Sequence, residues 1–395
     1  MSTPVTIRAL QEQAQASFLT YGPPGAGAVE LVEGFGQYQA EYAALRRGVG
    51  LLDLPMRALL RLTGKDSPAF LHRLLTQDVR AMQSGEAKRA FLLTVKGRIV
   101  ADLWVMVTRD GIYLETDRPT LPTLRAELDR YLFTDDVKIE DLSDSYRLLA
   151  LHGPSGPALL AAAGAGDFTQ LAPGRHAHAQ LGDACCSVHR WDLAGSPGLH
   201  LWMPATHADA IYAQLAHAVG GLTPELGADS ATGDRGHLDR AIKGRGIGWL
   251  AFNTARIEAG QPLWRVDFGP DSLPAETGLL TQAVSFTKGC YPGQEIVCRM
   301  KDLGHPARVL VSIRGEDDRL PIAGSELAAG EDTTRQAVGA VTSSAVSPLA
   351  GGLAVAFAVV KWGRHQPGQT LWAPAEGAWV PMKVSEALHI PALKP

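Results

Sequence analysis

The sequence predicts an α+β protein made of three consecutive units, the last of which is all-β. Two long stretches of the chain mix alternating strand patterns with helical patterns, whereas the third carries strand patterns alone. Tight turns between neighbouring strands favour antiparallel pairing. The expected units are residues 36–150, 151–305 and 306–395, preceded by an extension at residues 1–35. Each unit is long enough to bury a core of its own.

The first unit is expected to be an antiparallel sheet with helices. Its elements in order are a helix at 37–49, a strand at 56–63, a helix at 66–75, strands at 90–95, 99–107 and 112–116, a helix at 118–133, and strands at 137–142 and 146–152. Asp66 is a typical N-cap residue, and Pro119 stands near the start of its helix. Turns at 96–98 and 109–111 join three successive strands into a meander.

The second and third units differ in their helix content. The second unit is predicted to contain helices at 154–163, 207–219 and 250–260, strands at 187–193 and 199–203, and a polar loop or inserted hairpin at 220–248. The third unit is predicted to contain strands at 307–313, 337–343, 353–359, 370–372 and 378–384. Since it shows little helical periodicity, we expect a small, separate β-barrel or sandwich without a long helix.

Composition and charge narrow the class of protein. The chain has 46% hydrophobic and 20% charged residues, a net charge of −4 and a pI near 6.3. This balance is typical of a globular protein and lacks a strong basic excess, so we expect no direct nucleic-acid binding. No apolar run approaches the ~18 residues of a membrane span, and the first 20 residues lack the apolar core of a signal peptide. We therefore expect a cytoplasmic protein.

The four cysteines do not have the spacing of a metal site. Cys185 and Cys186 are adjacent, Cys290 and Cys298 lie farther along, and no C-x-x-C pair occurs. A zinc or thioredoxin-like site therefore lacks its ligands, and we expect no bound metal. So few cysteines fit a reducing compartment. Since Cys185 and Cys186 alternate across a predicted strand, at most one of them is expected to be buried.

The motif with the most information is Lys-Gly-Cys-Tyr-Pro-Gly-Gln-Glu at 288–295. Its two glycines and Pro292 indicate a tight bend, and a helix is expected to begin at Pro292. Cys290 then lies just before a helix N-terminus and two residues from Lys288, and both features favour the thiolate. The alternative for Cys290 is a buried apolar filler, which is the expected role of Cys298.

Two further segments place charged residues in unusual positions. Arg256 and Glu258 are two residues apart and do not share a helix face, so one can face a cavity while the other caps or pairs; a solvated helix end is the alternative. Val100, Asp102 and Trp104 share one face of a mostly apolar strand. A carboxylate there is costly unless it is paired or lines a polar pocket, so Asp102 is either a hydrogen-bonded structural residue or a functional one.

These segments resemble the motifs of a known family. The 288–295 motif resembles the signature of the YgfZ family of folate-binding proteins, which is related to the aminomethyltransferase (T-protein) of the glycine cleavage system. Four weaker segments resemble other motifs of that family and follow its order: 47–54, 95–103, 254–262 and 273–279. The resemblance covers roughly residues 35–385.

The resemblance implies a three-domain cloverleaf, in which two mixed α/β domains with antiparallel sheets and a C-terminal β-barrel surround a central tetrahydrofolate pocket. It implies that Asp102 lies by the reactive nitrogens of the folate and that Arg256 helps to hold the pocket. Two departures disfavour aminomethyl transfer: Ala101 replaces one of the transferase's two adjacent acids, and His200 stands where the transferase has an acid that contacts the pterin. The motif around Cys290 instead marks the YgfZ branch.

The function that the resemblance implies is folate binding in support of iron–sulfur protein assembly or repair, or of tRNA modification. The ligand is expected to be tetrahydrofolate or a one-carbon derivative, and the expected partners are iron–sulfur client proteins. Two alternatives stay open. One is a folate-dependent aminomethyl or other one-carbon transferase, in which Asp102 positions or protonates the folate amine. The other is a non-catalytic binding module that docks a partner through the 288–295 motif.

The candidate site residues combine the residue patterns with the resemblance. Cys290 is the expected reactive or partner-contacting group, tuned by Lys288, and Asp102 is the third candidate catalytic residue. The expected folate contacts are Arg256, Asp102, Lys96, Glu258, Trp104, Tyr291 and Gln294, with Trp249 and Trp264 as further aromatic walls. We expect Asp102 and Arg256 to line one cavity, and Cys290 to lie partly exposed at its rim and to react faster than the other cysteines.

Overall fold

The computed structural model describes residues 6–23, 28–223, 243–330 and 336–390. The loop or hairpin expected at 220–248 therefore lies largely outside the described residues. No helix in the described part of the chain is long and apolar enough to cross a membrane.

The helices and strands follow one another along the chain in three groups. The N-terminal group contains α1 (Ile7–Gln13), β1 (Ser17–Tyr21), β2 (Val29–Gly34), α2 (Tyr38–Arg47), β3 (Val49–Asp53), β4 (Arg57–Thr63), α3 (Ser67–Leu74), β5 (Ala87–Leu93), β6 (Ile99–Val107), β7 (Ile112–Asp117), α4 (Leu121–Arg130), β8 (Lys138–Asp141) and β9 (Tyr146–His152). The middle group contains α5 (Gly156–Ala162), β10 (His176–Leu181), β11 (Ala184–Arg190), β12 (Gly198–Pro204), α6 (Ala205–Ala218), β13 (Gly244–Gly246), α7 (Trp249–Glu258), α8 (Leu280–Ala283) and α9 (Gln294–Asp302). The C-terminal group contains β14 (Arg308–Gly315), β15 (Glu326–Ala328), β16 (Ala337–Ser347), β17 (Leu353–Lys361), β18 (Thr370–Ala375) and β19 (Ala378–Val384).

The predicted α+β class with a C-terminal barrel is confirmed. The strands form a five-stranded sheet in the order β5-β6-β7-β4-β8, a six-stranded sheet in the order β10-β11-β12-β9-β3-β13, and a closed barrel in the order β14-β17-β16-β15-β18-β19. The described elements of the barrel are all strands, as expected for a unit without helical periodicity. The strands predicted at 99–107 and 146–152 match β6 and β9 in their bounds, because each is a mostly apolar run of seven or more residues between turn segments.

The sheets do not follow the expected unit boundary at residue 150. That boundary falls inside β9, which pairs with β12 on one side and with β3 on the other. β3 is buried along its whole length. It belongs to the six-stranded sheet, hereafter the second sheet, although it precedes every strand of the five-stranded sheet, hereafter the first sheet, in the chain. Sequence patterns did not predict β3, because a five-residue strand buried on both faces shows no alternation.

The N-terminal extension has more structure than the sequence predicted. α1 precedes β1 and β2, which pair antiparallel from Tyr21 and Val29 to Phe18 and Val32, where the register shifts. The apolar side chains of these two strands pack against α7 and the six-stranded sheet. Leu31 is buried in this contact, and Leu19, Tyr21 and Val29 are partly buried. The extension is therefore part of the central core of the molecule.

Candidate functional site

A cavity lies between the two sheets, α7 and the N-terminal hairpin. It is narrow and leaves about 50 Å³ of room for the centres of water-sized molecules. Its lining is mostly aromatic and aliphatic, with a few buried charges; the residues are Tyr21, Leu54, Met56, Arg57, Arg89, Asp102, Trp104, Glu115, Asp117, Leu193, His200, Trp249, Phe252, Leu263 and Trp264. An apolar cavity with a few converging polar groups is typical of a small-molecule site.

Asp102 lines this cavity, and Arg89 holds it. Asp102 on β6 is buried, and Arg89 on the neighbouring β5 donates from Nε to Oδ1 at 2.9 Å and from Nη2 to Oδ2 at 2.5 Å. The same guanidinium donates to the backbone oxygen of Pro262. Asp102 and Trp104 both face the cavity, as the strand periodicity predicted. The two-point contact fixes the orientation of the carboxylate and leaves its remaining lone pairs for a ligand.

A second charged cluster forms another part of the wall. Arg57 on β4 donates to Glu115 at 2.9 Å and to Asp117, both on β7. Trp202 donates its indole N–H to Glu115, and Tyr21 donates its hydroxyl to Asp117. Burial raises the pKa of Asp117, and the nearby Arg57 partly offsets this effect. The cavity therefore holds three carboxyl groups and two arginines, each of which already has a protein partner.

The aromatic walls only partly match the prediction. Trp104, Trp249 and Trp264 line the cavity, whereas Tyr291 is buried in a separate cluster with Phe91, Trp264 and neighbouring apolar side chains. Trp264 donates its indole N–H to Thr120 at 2.7 Å, which fixes its ring. Flat indole faces on several sides suit a planar aromatic ligand.

A more open cleft adjoins the cavity. The two share Arg89, Trp104 and Leu193, and the cleft leaves about 500 Å³ of room for the centres of water-sized molecules. The ring of Trp104 stacks on Trp191 with the centroids 3.8 Å apart, and this pair stands where cavity and cleft meet. The polar lining of the cleft consists of Lys88, Arg190, Asp192, Gln77, Gln261 and Gln282. The cleft is therefore a route by which a ligand can reach the cavity from solvent.

Arg256 does not line the cavity, so the expectation that it shares one cavity with Asp102 is wrong. Its side chain is fully buried and donates to Asp267 at 2.5 Å and to Asn253 at 2.7 Å. Asp267 in turn accepts hydrogen bonds from Thr342 and Ser343 of β16. The arginine beside Asp102 is Arg89 instead. Arg256 thus joins α7 to the barrel, because the C-terminal half of α7 packs against β16 and not over the first sheet.

Glu258 is also part of a contact between structural units and not of the cavity wall. Its Oε2 accepts from Tyr42 at 2.7 Å and from Arg46, both on α2, and its Oε1 accepts from Ser347 at the end of β16. Arg256 and Glu258 therefore have different main partners, since Arg256 bonds to Asp267 and Glu258 bonds to α2. This agrees with the prediction that the two residues do not share a helix face.

The 288–295 motif lies against the turn that joins β5 to β6. Gly293 has a left-handed φ of +79°, and a Cβ there would lie 2.6 Å from the backbone oxygen of Thr94, so only glycine fits. α9 begins at Gln294, two residues after the predicted start at Pro292, because Gly293 in this conformation is its N-cap. Gln294 and the exposed Lys96 of the facing turn do not line the cavity or the cleft.

Lys288 anchors the motif to α3. Its ammonium donates to the backbone oxygens of His72 and Leu75, at the C-terminal end of that helix. Burial lowers the pKa of Lys288 to about 8, while Asp78 and Cys290 act in the opposite sense. Cys290 is exposed, as expected, but it is not among the residues that line the cavity or the cleft, so its expected place at the cavity rim is wrong.

The adjacent cysteines at 185 and 186 agree with the prediction, whereas Cys298 is less buried than the apolar filler that the sequence predicted. Cys186 is buried and Cys185 is exposed, so one of the adjacent pair is buried. Cys298 is half-buried on α9. Within the described residues, no group of three or more His, Cys, Asp or Glu side chains could hold a metal ion.

Sequence reasoning missed most of the charged residues of the cavity. A charged residue in a strand with several apolar neighbours is the signal that identified Asp102. The same signal is present at the residues that were missed, which are Arg57, Arg89, Glu115 and Asp117. Arg89 stands directly opposite Trp104 in the β5–β6 register, so the predicted turn at 96–98 would have placed it next to Asp102. Tyr21 had no such signal, because it reaches Asp117 across 96 positions of the chain.

We expect the protein to lose stability as the pH falls from about 6.5 towards 4. Burial lowers the pKa of His152 from 6.5 to about 4 and holds the pKa values of His189 and His200 well below 6.5. Below pH 6.5 these histidines bind protons in the unfolded chain and stay neutral in the folded chain. Protons therefore favour the unfolded chain as the pH falls, and the full free energy of unfolding is present above pH 6.5. At pH 5, His152 alone lowers the free energy of unfolding by about 2 kcal/mol.

Urea unfolding at pH 7.5 and at pH 5.0 checks this expectation. The His152→Gln variant should lose about 2 kcal/mol of the difference between the two pH values, because glutamine does not titrate. Equal pH dependence in the variant and the parent would contradict it. The exposed His178 of β10 supplies the matched control, His178→Gln, which should keep the full difference.

Known proteins that are similar to this chain include aminomethyltransferases. The family model "GCVT N-terminal domain" matches residues 23–228. The aminomethyltransferase of Cutibacterium acnes is 30% identical over 331 residues, which cover 80% of this chain and 81% of that protein. The aminomethyltransferase of Desulfitobacterium hafniense is 27% identical over 271 residues, which cover 68% of each. The crystal structure of glycine cleavage system aminomethyltransferase T from Bartonella henselae has the same fold, with a TM-score of 0.80, 23% identity and 98% coverage of both chains.

Proposed function

Because this chain belongs to the aminomethyltransferase family with the GCVT N-terminal domain, we propose that it binds tetrahydrofolate or a one-carbon derivative in the cavity around Asp102. We propose further that it acts as a YgfZ-type protein, which supports the assembly or repair of iron–sulfur proteins or a tRNA modification that depends on them. The observation that supports the folate proposal is the cavity itself, in which several indole rings and the carboxylate of Asp102, held by Arg89, line the same space.

The cavity and cleft match the parts of a folate. The pterin is flat and requires apolar faces with a few polar groups at its edges, and Trp104, Trp249 and Trp264 provide such faces. The aromatic spacer and the glutamate tail require a path to solvent. The adjoining cleft supplies this path, and Lys88 and three glutamine side chains offer hydrogen-bond donors to carboxylates along it.

The exposed Cys290 supports the YgfZ-type role. Lys288 and Gly293 hold the bend that presents this thiol, and neither residue faces the cavity. A thiol that is exposed and separate from the ligand cavity is available to a second protein while the ligand stays bound. Such an arrangement suits a partner-contacting role better than a role in folate chemistry.

The second candidate function is one-carbon transfer, and the position of Asp102 favours it. A carboxylate that Arg89 holds in a fixed orientation inside a semi-enclosed cavity is suited to accept a hydrogen bond from a folate N–H and so to position the reacting amine. Turnover of a one-carbon folate by the purified protein would support this function, whereas binding without turnover would favour the YgfZ-type role.

The first test is the melting temperature of the purified protein with and without tetrahydrofolate. A ligand of the native state at 100 times its Kd adds about 2.7 kcal/mol to stability, so the melting temperature should rise. The tail fragment p-aminobenzoylglutamate, which lacks the pterin, is the matched control and should have little effect. An unchanged melting temperature at millimolar tetrahydrofolate would overturn the folate proposal.

The second test separates Cys290 from folate binding. We expect Cys290→Ser to bind tetrahydrofolate with unchanged affinity and to lose the ability to sustain an iron–sulfur enzyme in a cell that depends on this protein. Cys185→Ser, the other exposed cysteine, is the matched control and should retain full function. A fully functional Cys290→Ser variant would overturn the YgfZ-type role of the thiol.

Limited alkylation should modify Cys290 before the other three cysteines. It is exposed and lies in a bend between Gly289 and Gly293, where the neighbouring backbone carries no side chains that would shield the thiol from the reagent. Cys186 should stay unmodified, since it is buried and burial raises its pKa to about 11. Mass spectrometry after brief, limiting iodoacetamide measures the order, with the unfolded protein as control. Faster labelling of Cys185, the other exposed cysteine, than of Cys290 would contradict this prediction.

A further inference from the structure

A cluster of nucleophilic and titratable side chains lies outside the cavity, where the 288–295 motif meets α3. Its members are Cys290 and Lys288 of the motif, His72 in the last turn of α3, and Asp78 in the segment that follows α3. None of these four residues lines the cavity or the cleft. Ligand binding in the cavity therefore leaves this cluster without a role.

His72 presents one ring nitrogen to the bend that carries Cys290. Its Nδ1 lies 2.9 Å from Oδ1 of Asp78, and this contact favours the tautomer with the proton on Nδ1. Nε2 is then the acceptor nitrogen, and a Cβ on Gly289 would lie 4.0 Å from it. Within the part of the chain that the structure describes, Nε2 has no hydrogen-bond partner. The free nitrogen of His72 therefore lies beside the residue that precedes Cys290.

Lys288 connects the two sides of the cluster. Its ammonium donates to the backbone oxygens of His72 and Leu75. Burial lowers the pKa of Lys288 to about 8, whereas Asp78 and Cys290 act to raise it, so both of these groups lie near the ammonium. The lysine thus fastens the bend to the end of α3 and adds a positive charge close to the carboxylate and the thiol.

We propose that Cys290 is the nucleophile of a thiol–disulfide exchange site, that His72 accepts its proton, and that Asp78 positions the His72 ring. This inference deepens the partner-contacting role of Cys290 and rests on that part of the proposed function. A nucleophile, a base and a third group that orients the base are the recurring parts of an activated nucleophile. The thiol is exposed, so a disulfide on the surface of a second protein can reach it.

The exchange step balances without a further oxidant or reductant. The S–H bond of Cys290 breaks and its proton goes to Nε2 of His72, while Sγ forms a bond to one sulfur of the partner disulfide. The S–S bond of the partner breaks, and its electron pair goes to the leaving sulfur, which takes the proton from His72. The products are a mixed disulfide between Cys290 and the partner, and one free thiol.

The surroundings of His72 suit a base that works near neutral pH. Burial and the nearby Lys288 lower the pKa of His72, Asp78 raises it, and Arg80 lowers it. The net shift is downward from 6.5, so the ring is neutral at pH 7 and can accept a proton. The charged and titratable side chains near the ring are thus Lys288, Asp78, Arg80 and Cys290.

Reaction of the parent chain with oxidised glutathione, a small disulfide, is the first test. Mass spectrometry measures the mixed disulfide at Cys290 and at Cys185, the other exposed cysteine, and we expect Cys290 to react faster. The rate at Cys290 should level off above about pH 6.5, because neutral His72 then takes the proton. A rate that keeps rising through the alkaline range would mean that only free thiolate attacks, and would overturn the role of His72.

Chemical rescue separates a proton acceptor from a structural residue. His72→Ala should slow exchange at Cys290 by about 100-fold at pH 7, and imidazole in the buffer should restore part of the rate. Lys288 bonds to the backbone of residue 72, so this anchor remains in the variant. Asp78→Asn should have a smaller effect, since asparagine can still accept from Nδ1. His178→Ala, at an exposed histidine of β10, is the matched control and should react as the parent does.

The outcomes distinguish this inference from the proposed function. Equal rates in His72→Ala and the parent, or a slow variant that imidazole does not rescue, would overturn the exchange site even if Cys290→Ser loses function in a cell. A Cys290→Ser variant with full function would overturn the partner-contacting role and this inference with it. If His72→Ala does not fold, the pH profile of the parent decides.

Discussion

Replacing Arg256 by methionine is expected to lower the free energy of unfolding by about 3–5 kcal/mol, because it leaves the buried carboxylate of Asp267 without its cation. Both side chains of this pair are fully buried. The remaining donors to Asp267 are the hydroxyls of Thr342 and Ser343 and the backbone N–H of Leu263, and none of them carries a charge.

Urea unfolding of Arg256→Met and of the parent measures this loss of the free energy of unfolding. Arg125→Met is the matched control, since Arg125 forms an exposed pair with Asp129 on the surface of α4, and it should change stability by less than about 1 kcal/mol. A variant as stable as the parent would show that α7 and the barrel do not depend on this pair. A variant that keeps its stability but loses tetrahydrofolate binding would show that Arg256 contributes to the ligand site.

Asp102→Asn is expected to weaken tetrahydrofolate binding by about 10- to 100-fold. It removes the cavity carboxylate that Arg89 orients, and hydrogen bonds to charged groups contribute about 1.5–3 kcal/mol each. It also leaves the buried guanidinium of Arg89 without a counter-charge, so the variant should be less stable than the parent. Calorimetric titration gives the affinity, and a thermal melt gives the stability.

A double variant separates these two effects. Arg89→Met with Asp102→Leu removes both buried charges, so it should recover much of the stability that Asp102→Asn loses, and its ligand affinity should stay low. Asp144→Asn, at an almost fully exposed carboxylate, is the matched control and should bind as the parent does. Recovery of binding in the double variant would show that Asp102 supports the fold and does not contact the ligand.

Local patterns were sufficient for most of the fold. Strand-forming runs between tight turns located β6 and β7, and helical spacing located α2 and α6, because these signals involve residues that are close together in the chain. The same local reasoning singled out Asp102 as a costly charge in an apolar strand, and the glycines around Cys290 as an exposed bend. The structure agrees with both features.

Local patterns failed where partners are distant in the chain. The N-terminal extension looked weakly patterned, yet its Tyr21 is a cavity wall that bonds to Asp117 across 96 positions. Short elements such as β15, with three residues, carry too few side chains for a periodic signal. The unit boundary at 150 was misplaced for the same reason, since only strand pairing shows that β3 belongs to the second sheet.

The sequence by itself determined the α+β class, the C-terminal barrel, the candidate carboxylate Asp102 and the motif that presents Cys290. Only the tertiary structure decided which charges meet: Arg89, and not Arg256, holds Asp102, while Arg256 and Glu258 join α7 to the barrel and to α2. The physical reason is that periodicity reports which face of an element is buried, whereas the partner of a buried charge depends on the elements that pack against that face.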